Sequence, residues 1–562
     1  MSISPSPHPG TISGVGVSPG RAAGPAVMVV TGGAEPGANP TDTDPEVAAA
    51  AISDAARTVA DRLRSWAEEA SGTAQEVLAT TAQIATDPTL IKDAQKRVRE
   101  AHVTAERAVW EAAGAVAQQF QSLGGYFAER VRDVTDVRDR IIAVLTGSPV
   151  PGVPQRSERF VLVARDLAPA DTAQLDAASV LALVTAEGGP TSHTAILARA
   201  LGIPAVVGVG EAVLRIREGA MIVVDGGSGS VTLSPSEEQV RAASVRTKAR
   251  TFSGQGRTSD GHRVQLLANV GDPAQAQAAA AAGAEGVGLF RTEFCFLERE
   301  SEPSIEEQVQ AYRAVLAAFA GKKVVVRTLD AGADKPLPFL TNLDEANPAL
   351  GVRGYRTSWK NPEVLQNQLT AIARAAESED AEVWVMAPMV ARVSEAEDFV
   401  AACARHGLGT AGVMVEVPSA ALLAGPILAH AAFASIGTND LTQYTLAADR
   451  LLGALAPLST PWDPAVLQLV RATCAGGDAQ GRPVGVCGEA AADPALAAVL
   501  VGLGVTSLSM TPRALGDVAA VLEATTFDQC RRAATLALAT TSAYDARAAA
   551  RAELTVLAEL AL

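Results

Sequence analysis

Hydrophobic and polar positions alternate in three different rhythms along this chain. After a short leader, brief strand-like stretches lie near residues 14–17 and 26–30, and a Gly/Pro/Asp-rich run over 32–45 reads as a linker. From residue 46 to about 146 helix breakers almost vanish. Apolar positions recur at helical spacing, first Val59, Leu63 and Trp66, then Val77, Thr80 and Ile84, with interruptions near 71–72, 87–88 and 124–125. This predicts an α-helical bundle. Strand patterns resume at 159–163, 180–185, 205–209, 221–224 and 230–233, with helix between them. A small α/β domain is therefore assembled from both sides of the helical block, which is inserted into it or packed on it. Residues 236–250 read as a charged connecting helix.

The remaining chain repeats a unit. Apolar strand-like runs fall at 264–268, 286–290, 323–327, 383–387, 412–416, 432–436, 483–487 and 507–510, and nearly every gap contains helix-forming sequence. Eight strand–helix units predict a (β/α)8 TIM-type barrel, with a doubly wound open sheet as the alternative. The whole reads as a multidomain α/β protein. In such a barrel the chemistry sits at the carboxyl ends of the strands. Polar residues recur there: Asn269, Arg291 with Glu293, Arg327 with Asp330, Glu416, Asn439 with Asp440, and Cys487 with Glu489.

Composition narrows the class. Apolar residues make up 48% of the chain, which supplies ample core, and the 31 prolines are dispersed rather than clustered in a disordered tract. The formal charge of −16 disfavours nucleic acid or an anionic membrane as partner and permits a basic protein. The five cysteines form no CxxC, so a disulfide framework or zinc site is not expected and a reducing cytoplasm is. The first residues lack the pattern of a secretory signal, and no uninterrupted apolar span of about 20 residues predicts membrane insertion.

One segment carries nucleophile chemistry. Gly188-Gly189-Pro190-Thr191-Ser192-His193-Thr194-Ala195-Ile196-Leu197-Ala198-Arg199 follows a strand and enters a helix. Glycines allow close backbone approach to a ligand, free amides at a helix start suit an anion, and an imidazole there can act as nucleophile. Arg199 is a candidate to neutralise a phosphoryl group, and Thr172 to fix the ring's tautomer. A lone histidine at a helix start is usually structural, and His8, His102, His262, His406 and His430 are read that way. For His193 the long pattern GGxTSHxAIxAR, continued by Leu201-Gly202-Ile203-Pro204, closely resembles the swivelling phosphohistidine domain of the phosphoenolpyruvate-utilising enzymes. Pro190 stands where many relatives have arginine.

The barrel carries a second resemblance. The segments 283–294, 327–335, 413–416, 435–450 and 486–489 are similar to those of the enzyme I family of the bacterial phosphoenolpyruvate:sugar phosphotransferase system. The resemblance implies residues 1–34 and 147–235 as the phosphohistidine α/β domain and 35–146 as the helical docking domain for the phosphocarrier HPr. It implies 236–252 as a linker helix, and 253–562 as the barrel that binds phosphoenolpyruvate and forms a homodimer. The implied reaction moves phosphate from phosphoenolpyruvate to His193, releasing pyruvate, and then to a histidine of HPr. A large swivel would carry His193 between the two. Arg291, Arg327, Arg450, Asn439 and the Asp440 backbone are implied to bind substrate, with Asn269, Lys335 and Arg353 in support. Glu416 and Asp440 are implied as Mg²⁺ ligands and Cys487 as proton donor to the enolate. Dikinase-type relatives need an ATP-grasp domain, for which the 192 residues before His193 leave no room beside the helical block. A dikinase with a separate nucleotide subunit and a regulatory paralogue remain as alternatives.

Overall fold

The structure, a computed structural model, describes residues 10–562 except 19, 31, 39–40, 42, 70–72, 124–129, 155, 157, 168–170, 172–174, 176–177, 190–192, 228, 245–249, 253, 298, 332–336, 342–344, 346, 451 and 561. The chain divides into two compact units, Met1–Val245 and Arg246–Leu562.

In the first unit five helices among the described residues form a bundle: α1 (Pro45–Glu69), α2 (Thr73–Ala85), α3 (Pro88–Ala101), α4 (Ala105–Leu123) and α5 (Val131–Thr146). Their starts and stops are written locally. Asp87 accepts hydrogen bonds from the Thr89 and Leu90 amides ahead of Pro88, and α5 ends at Gly147 with φ 66°. Ile52, Val59, Leu63, Leu78, Leu90, Val98, Val109, Val134 and Ile141 interlock as the bundle core. On α2 the buried stripe is Leu78, Thr81, Ala82 and Ala85, whereas Thr80 and Ile84 are only half-buried. Ile84 still packs against the bundle core from the edge of that stripe. Small alanines at 82 and 85 let α2 lie close to its neighbours, which an apolar count weighted to large side chains misses.

An eight-stranded sheet accompanies the bundle. In chain order its strands are β1 (Thr11–Ser13), β2 (Val15–Ser18), β3 (Arg21–Met28), β4 (Phe160–Ala164), β5 (Val180–Thr185), β6 (Ala205–Val207), β7 (Met221–Asp225) and β8 (Ser230–Leu233). Their spatial order is β1-β8-β7-β3-β4-β5-β6-β2. Strands β3, β4, β5 and β6 run parallel. β3 starts earlier than its apolar pattern suggested: residues 21–25 pair antiparallel with β7, and 26–28 pair with β4. Helix α6 (His193–Leu201) crosses from β5 to β6. Its start thus lies beyond the carboxyl end of a parallel strand, where α/β sheets hold ligands. Helix α7 (Glu237–Ser244) covers the first part of the expected connecting helix, and 245–249 lie outside the described residues.

The second unit is a closed barrel. Its strands β9 (Gln265–Val270), β10 (Gly286–Arg291), β11 (Lys323–Arg327), β12 (Glu382–Ala387), β13 (Ala411–Val415), β14 (Ala434–Gly437), β15 (Val484–Cys487) and β16 (Ser507–Met510) are all parallel, and β16 closes on β9. Closure removes the open-sheet alternative. Asp-Pro pairs start three barrel helices, at 272–273, 463–464 and 493–494, where the aspartate caps and proline fits the first turn. Among the described residues no helix is long and apolar enough to cross a membrane.

Candidate functional site

Closure of the barrel brings the polar strand ends together. Glu293, Arg327, Asp330, Arg353, Asp440 and Arg450 form one chain of alternating charge. Arg327 Nη2 donates to Glu293 Oε1 at 2.8 Å, and its Nη1 lies 3.4 Å from Asp330 Oδ2. Arg353 Nη2 donates to Asp330 at 2.9 Å, and its Nη1 reaches Asp440 Oδ1 at 3.3 Å. Arg450 Nη1 lies 3.4 Å from the other Asp440 oxygen. Burial lowers the Arg327 pKa, but Glu293 and Asp330 outweigh it and hold the guanidinium well above its usual range. Burial raises the Asp330 pKa, and Arg327 and Arg353 more than offset it, so this carboxylate stays ionised. These partners fix the guanidiniums before any ligand arrives.

Arg291 differs. It ends β10, is exposed in the mouth, and makes no ion pair among the described residues. Desolvation by the barrel wall and then the Arg327 charge lower its pKa. An oxyanion between the two guanidiniums would relieve that repulsion. Among the described residues the buried Arg327 Nε, Arg353 Nε and Asp330 Oδ1 have no hydrogen-bond partner, so the mouth is polar beyond what those residues satisfy.

Glu416 follows β13 and is 1% exposed. Its Oε1 accepts from the Met389 amide at 2.5 Å, and Met389 sits at φ 60°, a conformation few side-chain-bearing residues adopt. Burial, then Asp440 and Asp330, push the Glu416 pKa up to about 8 against Arg327 and Arg353. Two buried carboxylates this close repel each other, and the cost falls when a proton or a positive charge is shared between them. Asp440 and Asn439 lie in the first turn of the helix Thr438–Leu446. Cys487 ends β15 at 2% exposure, among Leu289, Val325, Met386, Met414 and Phe433. Burial raises its pKa, so it is a thiol rather than a thiolate. Gly488 beside it has φ 111°, and a Cβ there would crowd Thr438 Oγ1 and Asn439, so the turn after the thiol requires glycine.

Not every expected residue joins this cluster. Asn269 Oδ1 accepts from Ser509 Oγ at 2.6 Å, within the adjoining strand ends. Lys335 and Thr172 lie outside the described residues. In the first unit His193 opens α6. Thr194, next to it, is buried and donates to Asp166 Oδ1 at 3.2 Å, which pins the helix start to the end of β4. Arg199 sits in the last turn of α6 and donates to the Val17 carbonyl at 3.4 Å. Asp330 and Glu293 were read only as polar strand ends. Their role in holding Arg327 was signalled by Arg327 and Asp330 standing three residues apart at one strand end.

A parallel barrel whose mouth combines clamped arginines, paired carboxylates and a buried thiol defines the class: a barrel enzyme whose mouth suits an oxyanionic substrate. Family profiles agree with that class. Residues 246–527 match the PEP-binding domain of the PEP-utilising enzymes, 156–229 their mobile domain, and 13–130 their N-terminal domain. The chain is 54% identical over 483 residues to a phosphoenolpyruvate-protein phosphotransferase of Streptomyces coelicolor, covering 84% of this chain and 86% of that one. It is 42% identical over 460 residues to the enzyme of that name in Haloferax volcanii, covering 79% and 81%. A solution structure of an Enzyme I protein aligns with 41% of this chain and 96% of that one at 33% identity and a TM-score of 0.36. The chain belongs to the phosphoenolpyruvate-protein phosphotransferase family of PEP-utilising enzymes.

Arg327 yields a sharp prediction. Arg327→Lys keeps the charge but cannot reproduce a fork that meets Glu293, Asp330 and a ligand together. The kcat/KM for phosphoenolpyruvate is expected to fall by roughly 10²-fold, mostly in kcat. A steady-state assay of pyruvate release checks it, and a change confined to KM would place Arg327 in uniform binding only.

Proposed function

We propose that the protein transfers the phosphoryl group of phosphoenolpyruvate to its own His193 and then to a histidine of HPr, the first step of PEP-dependent sugar uptake. The observation that carries the barrel half of this reading is the convergence of Arg291, Arg327, Glu416, Asp440, Arg450 and Cys487 on one mouth. Phosphoryl transfer needs positioning and charge neutralisation above all. Arg291, Arg327 and Arg450 hold the phosphate and carboxylate of the substrate, with Asn439 and the Asp440 backbone, and Asn269, Lys335 and Arg353 support them. The His193 nitrogen attacks phosphorus, the P–O bond to the enol oxygen breaks, and pyruvate enolate is left. The Cys487 thiol gives its proton to the methylene carbon. Thr172 fixes the His193 tautomer, and Arg199 supports the phosphorylated state of α6.

Glu416 and Asp440 suit Mg²⁺, which binds through one or two carboxylates plus substrate oxygens. When bound, the ion neutralises charge on the substrate's phosphate and enol oxygens. The test of the whole reading is radiolabelled phosphoenolpyruvate with Mg²⁺ and no nucleotide. Label on the protein, chased off by added HPr, is the expected result. Labelling only with ATP and phosphate would favour a dikinase-type enzyme, and none under either condition a regulatory paralogue.

Residues 1–34 with 147–235 then serve as the mobile histidine domain and 35–146 as the HPr-docking block. Residues 236–252 serve as linker, and 253–562 as the substrate and dimerisation domain. The homodimer rests on the family resemblance, and Leu350, Trp359, Leu422 and Leu452 are exposed apolar residues of the barrel unit open to such a contact. Sedimentation equilibrium of the full chain is expected to give twice the chain mass, and a monomer at micromolar concentration would refute the assignment. The composition supports a cytoplasmic site of action.

A further inference from the structure

Below the mouth the barrel axis carries a line of polar groups that phosphoryl transfer does not use. Every second residue of a strand faces inward. Ser435 on β14 lies diagonally below Cys487 on β15, since Gly437 is the residue paired with Cys487 and Ser435 with Gly485. The buried Ser435 side chain favours the ionised form of the Cys487 sulfur, which itself donates to the Ile436 carbonyl at 3.6 Å. On its lower side Ser435 lines a cavity of about 20 Å³, shared with Ser507, Ser509, Lys323 and Trp384. That volume accommodates the centre of one water, which needs two to four polar partners, and hydroxyl and ammonium groups supply them. Gly485 makes the space, because a Cβ there would stand against Ser507 Oγ.

Lys323 closes the floor. It begins β11 at the amino end of the barrel and is only half-buried, so it meets both the cavity and solvent. Its Nζ donates to Gln265 Oε1 at 2.7 Å and lies 4.6 Å over the Trp384 ring. Burial lowers its pKa to about 8, partly opposed by Glu382, the charged group that faces it from β12. A lysine in that range exchanges protons readily near neutrality.

We propose that Lys323, a water in this cavity and Ser435 form a proton path along the barrel axis that reprotonates Cys487 from the amino end. The inference rests on the reading of Cys487 as proton donor to the enolate. That donation leaves a buried thiolate beneath a mouth filled by pyruvate and walled by guanidiniums, which do not give up protons. The path balances. The Ser435 hydroxyl proton passes to Sγ, a water proton to Ser435 Oγ, and the Lys323 ammonium proton to the water. The Lys323 amine then takes a proton from solvent, so one proton has moved from solvent to sulfur and no electrons have changed hands. Lys323 and Ser435 act through Cys487 and are relay residues.

The experiment is exchange of pyruvate methyl protons for deuterium by the full chain in D2O with Mg²⁺, followed by proton NMR. While pyruvate is held, Cys487 must swap its own proton with solvent before a second deuteron enters the same molecule. Wild type is expected to give multiply deuterated pyruvate early in the reaction. Lys323→Met and Ser435→Ala are expected to lower the multiply deuterated fraction by about tenfold or more, with phosphohistidine formation from phosphoenolpyruvate kept as the check on folding. Lys323→Arg preserves charge and bulk but not proton release, so it is expected to behave as Lys323→Met. A purely structural lysine would be rescued by arginine. Multiply deuterated product within twofold of wild type in both Lys323→Met and Ser435→Ala would overturn the path. Cys487→Ala tells which idea has failed. If it abolishes exchange, only the path is lost; if it exchanges as wild type does, the Cys487 reading falls and the path with it.

Discussion

Alanine at position 193 is expected to abolish phosphoryl uptake from phosphoenolpyruvate, with any residual transfer to HPr reduced by roughly 10⁶, the scale for removing a covalent nucleophile. The label lost is expected to be acid-labile and base-stable, as a phosphorus–nitrogen bond is. The other described histidines have structural occupations. His262 stacks on Phe527 at 3.9 Å, and His102 closes α3 in the left-handed conformation. His406 Nδ1 lies 2.9 Å from the Ala402 carbonyl, and His430 pairs with Glu397. Solvent exchange into pyruvate, which needs only the barrel's own residues, is expected to survive. Stable label on the His193→Ala protein would transfer the nucleophile's role to another residue and end the proposal.

Legibility in the sequence divides along a physical line. Barrel strands were readable because a buried parallel strand is a continuous apolar run, and their polar last residues marked the mouth before closure was known. Most strand limits moved by one or two residues, as at β14, which begins at Ala434 rather than 432. The pairing inside the mouth was not readable. Arg353 and Asp440 are 87 positions apart and meet only because β14 and the loop after β11 rise from the same ring. Nor does the cavity beneath Cys487 leave a trace in the one-dimensional pattern. A glycine in a strand announces a missing side chain without saying what stands opposite, here Ser507 against Gly485. On α2 Ile84 packs on the bundle core as its spacing suggests, while Ala82 and Ala85 are buried beside Leu78 without standing out in the sequence, because alanine contributes little to an apolar count.

Glu416→Gln is expected to make the metal-free protein more stable at pH 8 while disabling the enzyme. The sign follows from the direction of the shift. Glu416 in the folded protein has its pKa raised to about 8, against roughly 4.3 in an unfolded chain. A raised carboxyl contributes stability that is fully present below the unfolded value and is lost as pH climbs through the folded one. Between about pH 4.3 and pH 8 the wild type without metal should therefore lose stability, by up to a few kcal/mol. Mg²⁺ should reverse that loss, because a divalent ion binds the ionised carboxylate and must displace its proton below pH 8. The glutamine side chain keeps an oxygen to accept from the Met389 amide but carries no charge to repel Asp440, so the variant's Tm should stay nearly flat over the same window. The variant should also stop responding to Mg²⁺, and kcat/KM should drop by about 10³ through loss of charge neutralisation at the transferring group. Thermal melts from pH 5 to 9, with and without Mg²⁺, read all of this. If the Glu416→Gln protein retained the wild-type Mg²⁺ shift in Tm, the ion would have to bind elsewhere, and the buried Glu416–Asp440 repulsion would need another purpose, the most direct being a proton held between the two carboxylates.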